Sequence, residues 1–321
     1  MYKGIVQIGL SLFLEREFRR CIRKGERLNM KIAVLDIGGT SIKSGIYCND
    51  EILNYKETDT EAKKGGYYVI EKAKKILKDY GAFDRIGVST AGQVNAKEGK
   101  IIYANENLPA YTGMNIKDLL EETFGKPAAV ENDVNAAAIG EAYKGAGKGY
   151  DDFLCLTYGT GVGGAIVIDR KIYKGTAFLA GEFGGLIVRA DQRDARKDIL
   201  SGCYERYAST TALINKAMEL EPSLKNGREI FERIGEAKVK LLVDNWIQEI
   251  LYGLISFIHL FNPSCIILGG GVMRQQYIVE KIREVLYDNI IPSYRSVVIK
   301  QAELGNTAGM LGAAMLAKEL Q

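Results

Sequence analysis

Leu35-Asp36-Ile37-Gly38-Gly39-Thr40 and Leu156-Thr157-Tyr158-Gly159-Thr160-Gly161 are two versions of one unit, an apolar strand ending in a glycine–threonine turn. Each turn leads into another apolar run, Lys43–Leu53 after the first and Val162–Ile168 after the second. Such a unit repeated a domain's length along the chain predicts a duplicated α/β architecture with a site between its halves. A third apolar run, Cys265–Leu268, ends in Gly269-Gly270-Gly271. Glycine lets the backbone approach a ligand closely and present its N–H groups, and threonine adds a hydroxyl. Those donors suit phosphate oxygens. None of the turns ends in the Gly-Lys-Ser/Thr of a P-loop, and none opens a helix as the six-residue dinucleotide fingerprint does.

Working outward, Lys31–Ile37, Arg85–Ser89 and Ala128–Glu131 read as strands. Val69–Tyr80 and Lys117–Phe124 read as helices with charges on one face,. Asp133–Tyr143 reads as a helix whose first turn is opened by Asn132 and Asp133, both good capping types,. Asp133 is therefore either a plain helix cap or a general base beside a sugar hydroxyl, with Asn132 as its partner. Gly145–Gly149 is expected to be flexible and to mark a hinge,. Glu236–Leu260 is a long amphipathic helix broken by Asn262-Pro263, and Ala308–Glu319 is a closing helix rich in Ala and Gly on one side.

The chain has 321 residues, enough for two domains and a large core,. Its net charge of +3, with acids and bases interspersed, gives no reason to expect nucleic acid or an acidic membrane surface as partner,. Five scattered cysteines, Cys21, Cys48, Cys155, Cys203 and Cys265, fit reduced thiols in the cytoplasm rather than a disulfide framework,. Residues 4–14 are apolar, but too short to span a bilayer and wrongly flanked for a signal peptide,. Lys24-Gly25-Glu26 can be encoded by a purine-rich stretch like a ribosome-binding site, placed shortly before Met30. The leader, residues 1–29, is accordingly expected to be a mis-assigned start or a non-native extension; a helix packed on a neighbour or on a membrane surface is the alternative.

The segments together resemble the ROK family (repressors, open reading frames and kinases) of the actin-like ATPase and sugar kinase superfamily. LDIGGTSIK (35–43) resembles its first phosphate motif and LTYGTGVGGA (156–165) its second, while ENDVNAAAIGE (131–141) resembles its catalytic segment. AGEFG (180–184) and LGGGV (268–272) resemble its sugar-binding and adenosine motifs, and NTAGMLGAA (306–314) its closing helix. The resemblance implies two actin-like (ribonuclease H-like) α/β domains with a ligand cleft between them. The small one would comprise 30–141 plus 306–321, and the large one 142–305. It implies a cytoplasmic ATP-dependent sugar kinase using Mg²⁺, assembled as a homodimer or tetramer, with no nucleic-acid or membrane partner. Asp133 would be the base, with Asn132, Glu182 and Glu205 bonding sugar hydroxyls. Gly92 and Gln93, with Asn105, would close the site from the small domain. Asp36 would hold Mg²⁺ through water. Gly38, Gly39, Thr40, Thr157, Gly159, Thr160 and Gly161 would surround the phosphates, and Gly270 and Gly271 would approach the adenosine. Lys43 is either an electrostatic contributor or a surface residue.

Departures from the family pattern carry as much as the matches. Many members have a histidine where this chain has Gly185, and a downstream cysteine-rich run of which only Cys203 remains; together these bind structural zinc. A zinc site takes about four N or S ligands, so no zinc is expected. His259, the single histidine, is expected to be a packed or surface imidazole. Gly185 removes a donor near the anomeric end of the sugar and leaves room there. That suits a β-glucoside or an N-acetylated hexosamine as well as glucose, and zinc-less relatives with a GEFG segment include β-glucoside kinases and N-acetylmannosamine kinases. Within the same family, the alternatives are a sugar-responsive repressor, which carries an added winged-helix domain, and a non-catalytic sugar sensor.

Overall fold

The computed structural model describes residues 30–320 of the protein. The expectations for the leader and for Cys21 lie outside these residues. The first part of the chain runs β1 (Ile32–Ile37), β2 (Ser41–Cys48), β3 (Glu51–Asp59), α1 (Gly66–Lys78), β4 (Arg85–Thr90), β5 (Gln93–Asn95) and β6 (Lys100–Tyr103). It continues through α2 (Ile116–Phe124), β7 (Ala128–Asn132) and α3 (Asp133–Lys144). The strands form a five-stranded sheet of order β3-β2-β1-β4-β7, plus the small β5–β6 pair. β1 pairs antiparallel with β2 and parallel with β4, which pairs parallel with β7. β1 is buried along nearly its whole length, as a central strand covered on both faces must be,.

The second part repeats this plan. It comprises β8 (Phe153–Tyr158), β9 (Val162–Ile168), β10 (Lys171–Ile172), the helices α4 (Glu205–Ala208), α5 (Thr210–Leu220), α6 (Gly227–Glu232) and α7 (Ala237–Phe261), then β11 (Cys265–Gly269), α8 (Gln276–Leu286) and β12 (Val298–Gln301). Its sheet order is β10-β9-β8-β11-β12, with β8 antiparallel to β9 and parallel to β11. β8 stands where β1 stands in the first sheet, so the duplication expected from the two glycine–threonine turns is present in the topology. α7 is long and apolar enough to cross a membrane, but half of its most apolar window is buried. Trp246, Ile250 and Leu254 on that helix are fully enclosed in the core of the second sheet, so it is a core helix.

The chain closes with α9 (Ala308–Glu319), whose bounds match the expectation from sequence. Met310, Leu311 and Ala314 of α9 pack on Ile32, Val34 and Tyr47 of the first sheet. Val134 and Ala138 of α3 pack on Phe153, Cys155 and Cys265 of the second. The two helices meet each other with backbones nearly touching. A Cβ on Gly312 would lie 1.7 Å from the Ala136 carbonyl oxygen, and one on Gly140 2.4 Å from that of Ala308. The small residues along the closing helix therefore serve close helix–helix packing.

Three expectations change. The run Lys43–Leu53 is a hairpin rather than one strand: Asn49 and Asp50 take φ of 52° and 61° and turn the chain between β2 and β3. Asn-Asp is a residue pair that tolerates this left-handed turn. Second, the N-cap of the helix at 133 is Asn132, whose side chain accepts from Val134 N and Asn135 N, while Asp133 adds only a bond from Val134 N. Asp133 is the first helical residue. Third, Gly145–Gly147 are buried rather than loose. Gly145 N and Gly147 N donate to the Glu141 carbonyl, and Ala146 N donates to its carboxylate at 2.7 Å. The same carboxylate accepts from Glu303 N at 3.2 Å and Leu304 N at 2.9 Å, just before α9. One buried side chain thus ties both crossings between the two sheets.

Candidate active site

All three glycine turns and the start of α3 lie at the carboxyl ends of parallel strands, the edge where open α/β sheets bind ligands,. Gly39, Thr40, Gly159 and Thr160 are exposed there, and a Cβ on Gly39 or Gly159 would meet nothing within 4 Å. The first turn is shaped from below. Gly38 N donates to Ser41 O, and the fully buried Thr60 donates its hydroxyl to Gly38 O at 2.7 Å. The second is braced by Gly159 N to Gly161 O at 2.9 Å and by Thr210 N to Gly159 O at 3.0 Å. Gly270 sits at φ 101°, and a side chain there would bring its Cβ 2.2 Å from Tyr158 O.

Beside the Gly269–Gly271 turn open two cavities that share Gly271 and Arg274. One, of about 120 Å³, is lined by Thr157, Gly270, Asn306 and Ala308 among others. The second, of about 730 Å³, opens between α6 and the β11 turn. Arg274 and Thr210 were not singled out from sequence. Their signal was position: Arg274 comes three residues after Gly271 of the Gly269–Gly271 turn, and Thr210 opens a helix.

Asp36 is the last residue but one of β1, and each of its oxygens already has a partner. Ser89 Oγ donates to Oδ1 at 2.7 Å, and Lys43 Nζ donates to Oδ2 at 3.2 Å. Both partners follow from register, since Asp36 faces Lys43 across β2 and Ser89 across β4. Lys43 is therefore an ion-pair partner of Asp36, half-buried, rather than a free surface residue.

Asp133 projects from the first turn of α3. Its Oδ1 accepts from Val134 N at 3.0 Å and from Asn132 Nδ2 at 2.9 Å. Burial, and then the negative charge of Asp36, push its carboxyl up to about 7, against the opposing pull of those hydrogen bonds,. A carboxylate poised near neutral pH suits a general base. Asn132 is heavily committed to protein: Oδ1 accepts the two helix N–H groups, while Nδ2 serves Gly92 O at 3.0 Å as well as Asp133. It acts on Asp133's orientation at least as directly as on any ligand.

Gln93, Asn132, Asn135, Gly181 and Glu182 line a further cavity of about 50 Å³ between the two sheets. Gln93 Nε2 donates across it to Glu182 Oε1 at 2.8 Å. Gly92, Asp133 and Gly185 lie outside this lining; Gly185 is exposed, and a Cβ there would meet nothing within 4 Å. Glu205 is not in this lining. Its Oε2 accepts from Val162 N at 3.0 Å, against Gly161 of the second turn. Asn105 is exposed, outside the lining, and its Oδ1 accepts from Asn107 N within its own turn. Glu131, buried at 1% exposure, pairs with Lys174 Nζ at 2.6 Å across the same gap. Nothing in the local sequence pattern marked that pair.

Cys203 is buried, and among the described residues no group of three or more His, Cys, Asp or Glu is placed to hold a metal ion. His259 Nε2 accepts from Ile291 N at 3.3 Å, and its ring packs edge-on to Tyr294. It is a packed imidazole.

A β-glucoside kinase of Listeria monocytogenes is 32% identical over 292 residues, covering 88% of this chain and 96% of that protein. A solved glucokinase of Streptomyces griseus, in complex with glucose and AMPPNP, is 30% identical with a TM-score of 0.78, covering 90% of this chain and 100% of that one. A solved protein of Listeria monocytogenes, described as a candidate N-acetylmannosamine kinase, is 32% identical with a TM-score of 0.81, covering 90% and 99%. The ROK family model matches residues 32–320, essentially the whole of the described chain. With its two actin-like α/β domains, the protein belongs to the ROK family.

Proposed function

We propose that this protein transfers the γ-phosphoryl group of ATP to the C6 hydroxyl of a hexose or hexose derivative. That it is an ATP-dependent sugar kinase follows from its relatives, which include a β-glucoside kinase and glucokinases, one of them solved with AMPPNP. The acceptor carbon and the sugar are our reading. The observation that carries it is Asp133: a carboxylate raised to about 7, oriented by Asn132 and Val134 N, beside Asp36 and the glycine turns.

In this mechanism the small domain (30–141 with 306–321) and the large domain (142–305) close on sugar and nucleotide. Closure excludes water and holds the sugar hydroxyl in line with the γ-phosphate. Backbone N–H groups of Gly38–Thr40 and Gly159–Gly161, with the hydroxyls of Thr40, Thr157 and Thr160, hold the phosphates. Gly270 and Gly271 let the backbone approach the adenosine. Asp133 takes the hydroxyl proton as transfer proceeds; positioning and charge neutralisation do most of the work. Asp36 and Asp133 supply carboxylate oxygens of the kind that hold a largely hydrated Mg²⁺. Asp36 would be the residue to hold Mg²⁺ through water, and the ion would supply neutralisation of phosphate charge.

Glu182, with Gln93 across the cavity, is the sugar-facing pair. Glu205 joins them by exchanging Val162 N for a sugar hydroxyl, or it stays to shape the second turn. The open space at Gly185 favours a sugar substituted near C1 or C2, a β-glucoside or N-acetylmannosamine, alongside glucose. The enzyme belongs in the cytoplasm, where ATP is available, as a homodimer or tetramer. A coupled ADP-release screen over glucose, mannose, N-acetylmannosamine, N-acetylglucosamine, fructose, cellobiose and aryl β-glucosides tests the substrate, and NMR of the product places the phosphate. Transfer to no sugar, or to a position other than C6, refutes the reading.

A further inference from the structure

Asn135 lies two residues beyond the proposed base, on the same first turn of α3, and is only 6% exposed. Its Nδ2 donates to Glu131 Oε1 at 3.2 Å. Glu131 is itself fixed, with Oε1 also accepting from Asn132 N at 3.0 Å and Oε2 bound by Lys174 Nζ at 2.6 Å. An ionised carboxylate only accepts, so it dictates which end of the amide faces it. The nitrogen must point to Glu131, and the oxygen must point away.

That oxygen has no partner. Asn135 Oδ1 is the single buried side-chain polar atom without a hydrogen bond among the described residues. Buried polar atoms are paired in the great majority of cases, and an exception calls for a physical reason. Here the reason is at hand, because Asn135 lines the same cavity as Gln93, Asn132 and Glu182. The other polar side chains of that lining each bond to protein: Gln93 bonds Glu182, and Asn132 bonds Gly92 and the helix N–H groups. Asn135 holds a buried acceptor that protein leaves unfilled, oriented by its hydrogen bond to Glu131, which Lys174 in turn pairs with from the opposite side of the cleft.

We propose that Asn135 is a sugar-recognition residue, its Oδ1 accepting from a donor on the substrate. Resting on the kinase reading above, this states a requirement on the acceptor sugar: it must carry an O–H, or the N–H of an acylamino group, facing α3. A sugar lacking that donor leaves Oδ1 unpaired in a closed site and is selected against. Lys174 and Glu131 then act as positioning residues that keep the amide from flipping.

The test compares wild type with Asn135→Ala and Asn135→Ser on the best sugar from the screen and its monodeoxy analogues, or its N-methylated acetamide where that sugar is an N-acetylhexosamine. In wild type, one analogue should lose roughly 10-fold or more in kcat/KM, the size of an unpaired buried acceptor. In either variant, that analogue and the parent sugar should become equal within about twofold, while penalties at the other positions persist and KM for ATP is unchanged. If every analogue keeps its wild-type penalty in the variants, Asn135 does not contact the sugar and the proposal falls. It falls equally if both variants fail to fold, since the residue is then structural. If wild type phosphorylates no sugar, the kinase reading fails separately. Calorimetric titration of the sugars and their analogues into wild type and variants then judges the Asn135 contact by the same equalisation.

Discussion

Replacing Asp133 by Asn should abolish phosphoryl transfer and at the same time make the ligand-free protein more stable. The carboxyl rises from its ordinary 3.8 to about 7 in the folded protein. A raised carboxylate means the folded state holds a proton that the unfolded state has released. The cost of keeping the charged group folded therefore grows as pH rises from about 4 to about 7 and is constant above that. At about 1.4 kcal/mol per pH unit, the full cost is about 4 kcal/mol, an upper bound. Asn carries no charge, and its Oδ1 can still accept from Val134 N and Asn132 Nδ2. The expected result is a melting temperature several degrees above wild type at pH 8, with the gap shrinking at pH 4.5. In wild type, kcat/KM should fall below about pH 7 as the base is protonated. Thermal denaturation across that pH range and coupled ADP release are the assays. An active Asn variant refutes the base, and a stability gap that does not depend on pH refutes the electrostatic account of the site.

Gln93→Ala removes the contact with Glu182 across the cavity and should raise KM for sugar about 10-fold with kcat and KM for ATP little changed,; an unchanged sugar KM counts against that cavity as the sugar site. Glu141→Ala leaves Ala146, Glu303 and Leu304 N–H groups without their carboxylate and should cost about 3 kcal/mol or more in denaturant unfolding,. Its kcat should also drop; full stability and activity would mean that the crossings need no tie. Gly270→Ala forces a side chain into φ 101° against Tyr158 O and should destabilise by about 1–3 kcal/mol,. Its KM for ATP should rise while sugar affinity, read by titration, stays the same; the reverse pattern would move the adenosine elsewhere.

The parts of this molecule legible from sequence are those whose cause is local. Gly38–Thr40 and Gly159–Gly161 announce themselves because a turn needing close backbone approach accepts few residue types. α9 was readable because helix–helix contact at Gly312 and Gly140 demands small residues at helical spacing. β3 was not readable: it is a mostly exposed edge strand whose polar residues carry no alternating pattern, and the Asn49-Asp50 turn before it passed as strand. The short helices α4 and α6 likewise lack a sustained apolar face. In the site, Asp133 could be singled out, but not its division of labour with Asn132, which depends on which of two adjacent capping residues the helix actually uses. Glu131–Lys174 and the isolated oxygen of Asn135 were out of reach, because each depends on residues brought together across the cleft by the fold.

The place of α9 has a consequence for how the chain is made. The second sheet and its helices come from one continuous stretch, so that half can consolidate as soon as β12 has left the ribosome. The first sheet cannot: Ile32, Val34 and Tyr47 stay uncovered until the closing helix arrives, although they were among the first of the described residues to be synthesised. The N-terminal half must wait, with an apolar sheet face open, for the whole of the other half to be translated. Domain-by-domain folding in order of synthesis is therefore expected to be inverted here, with β1 and β2 the segments left longest without their covering helix.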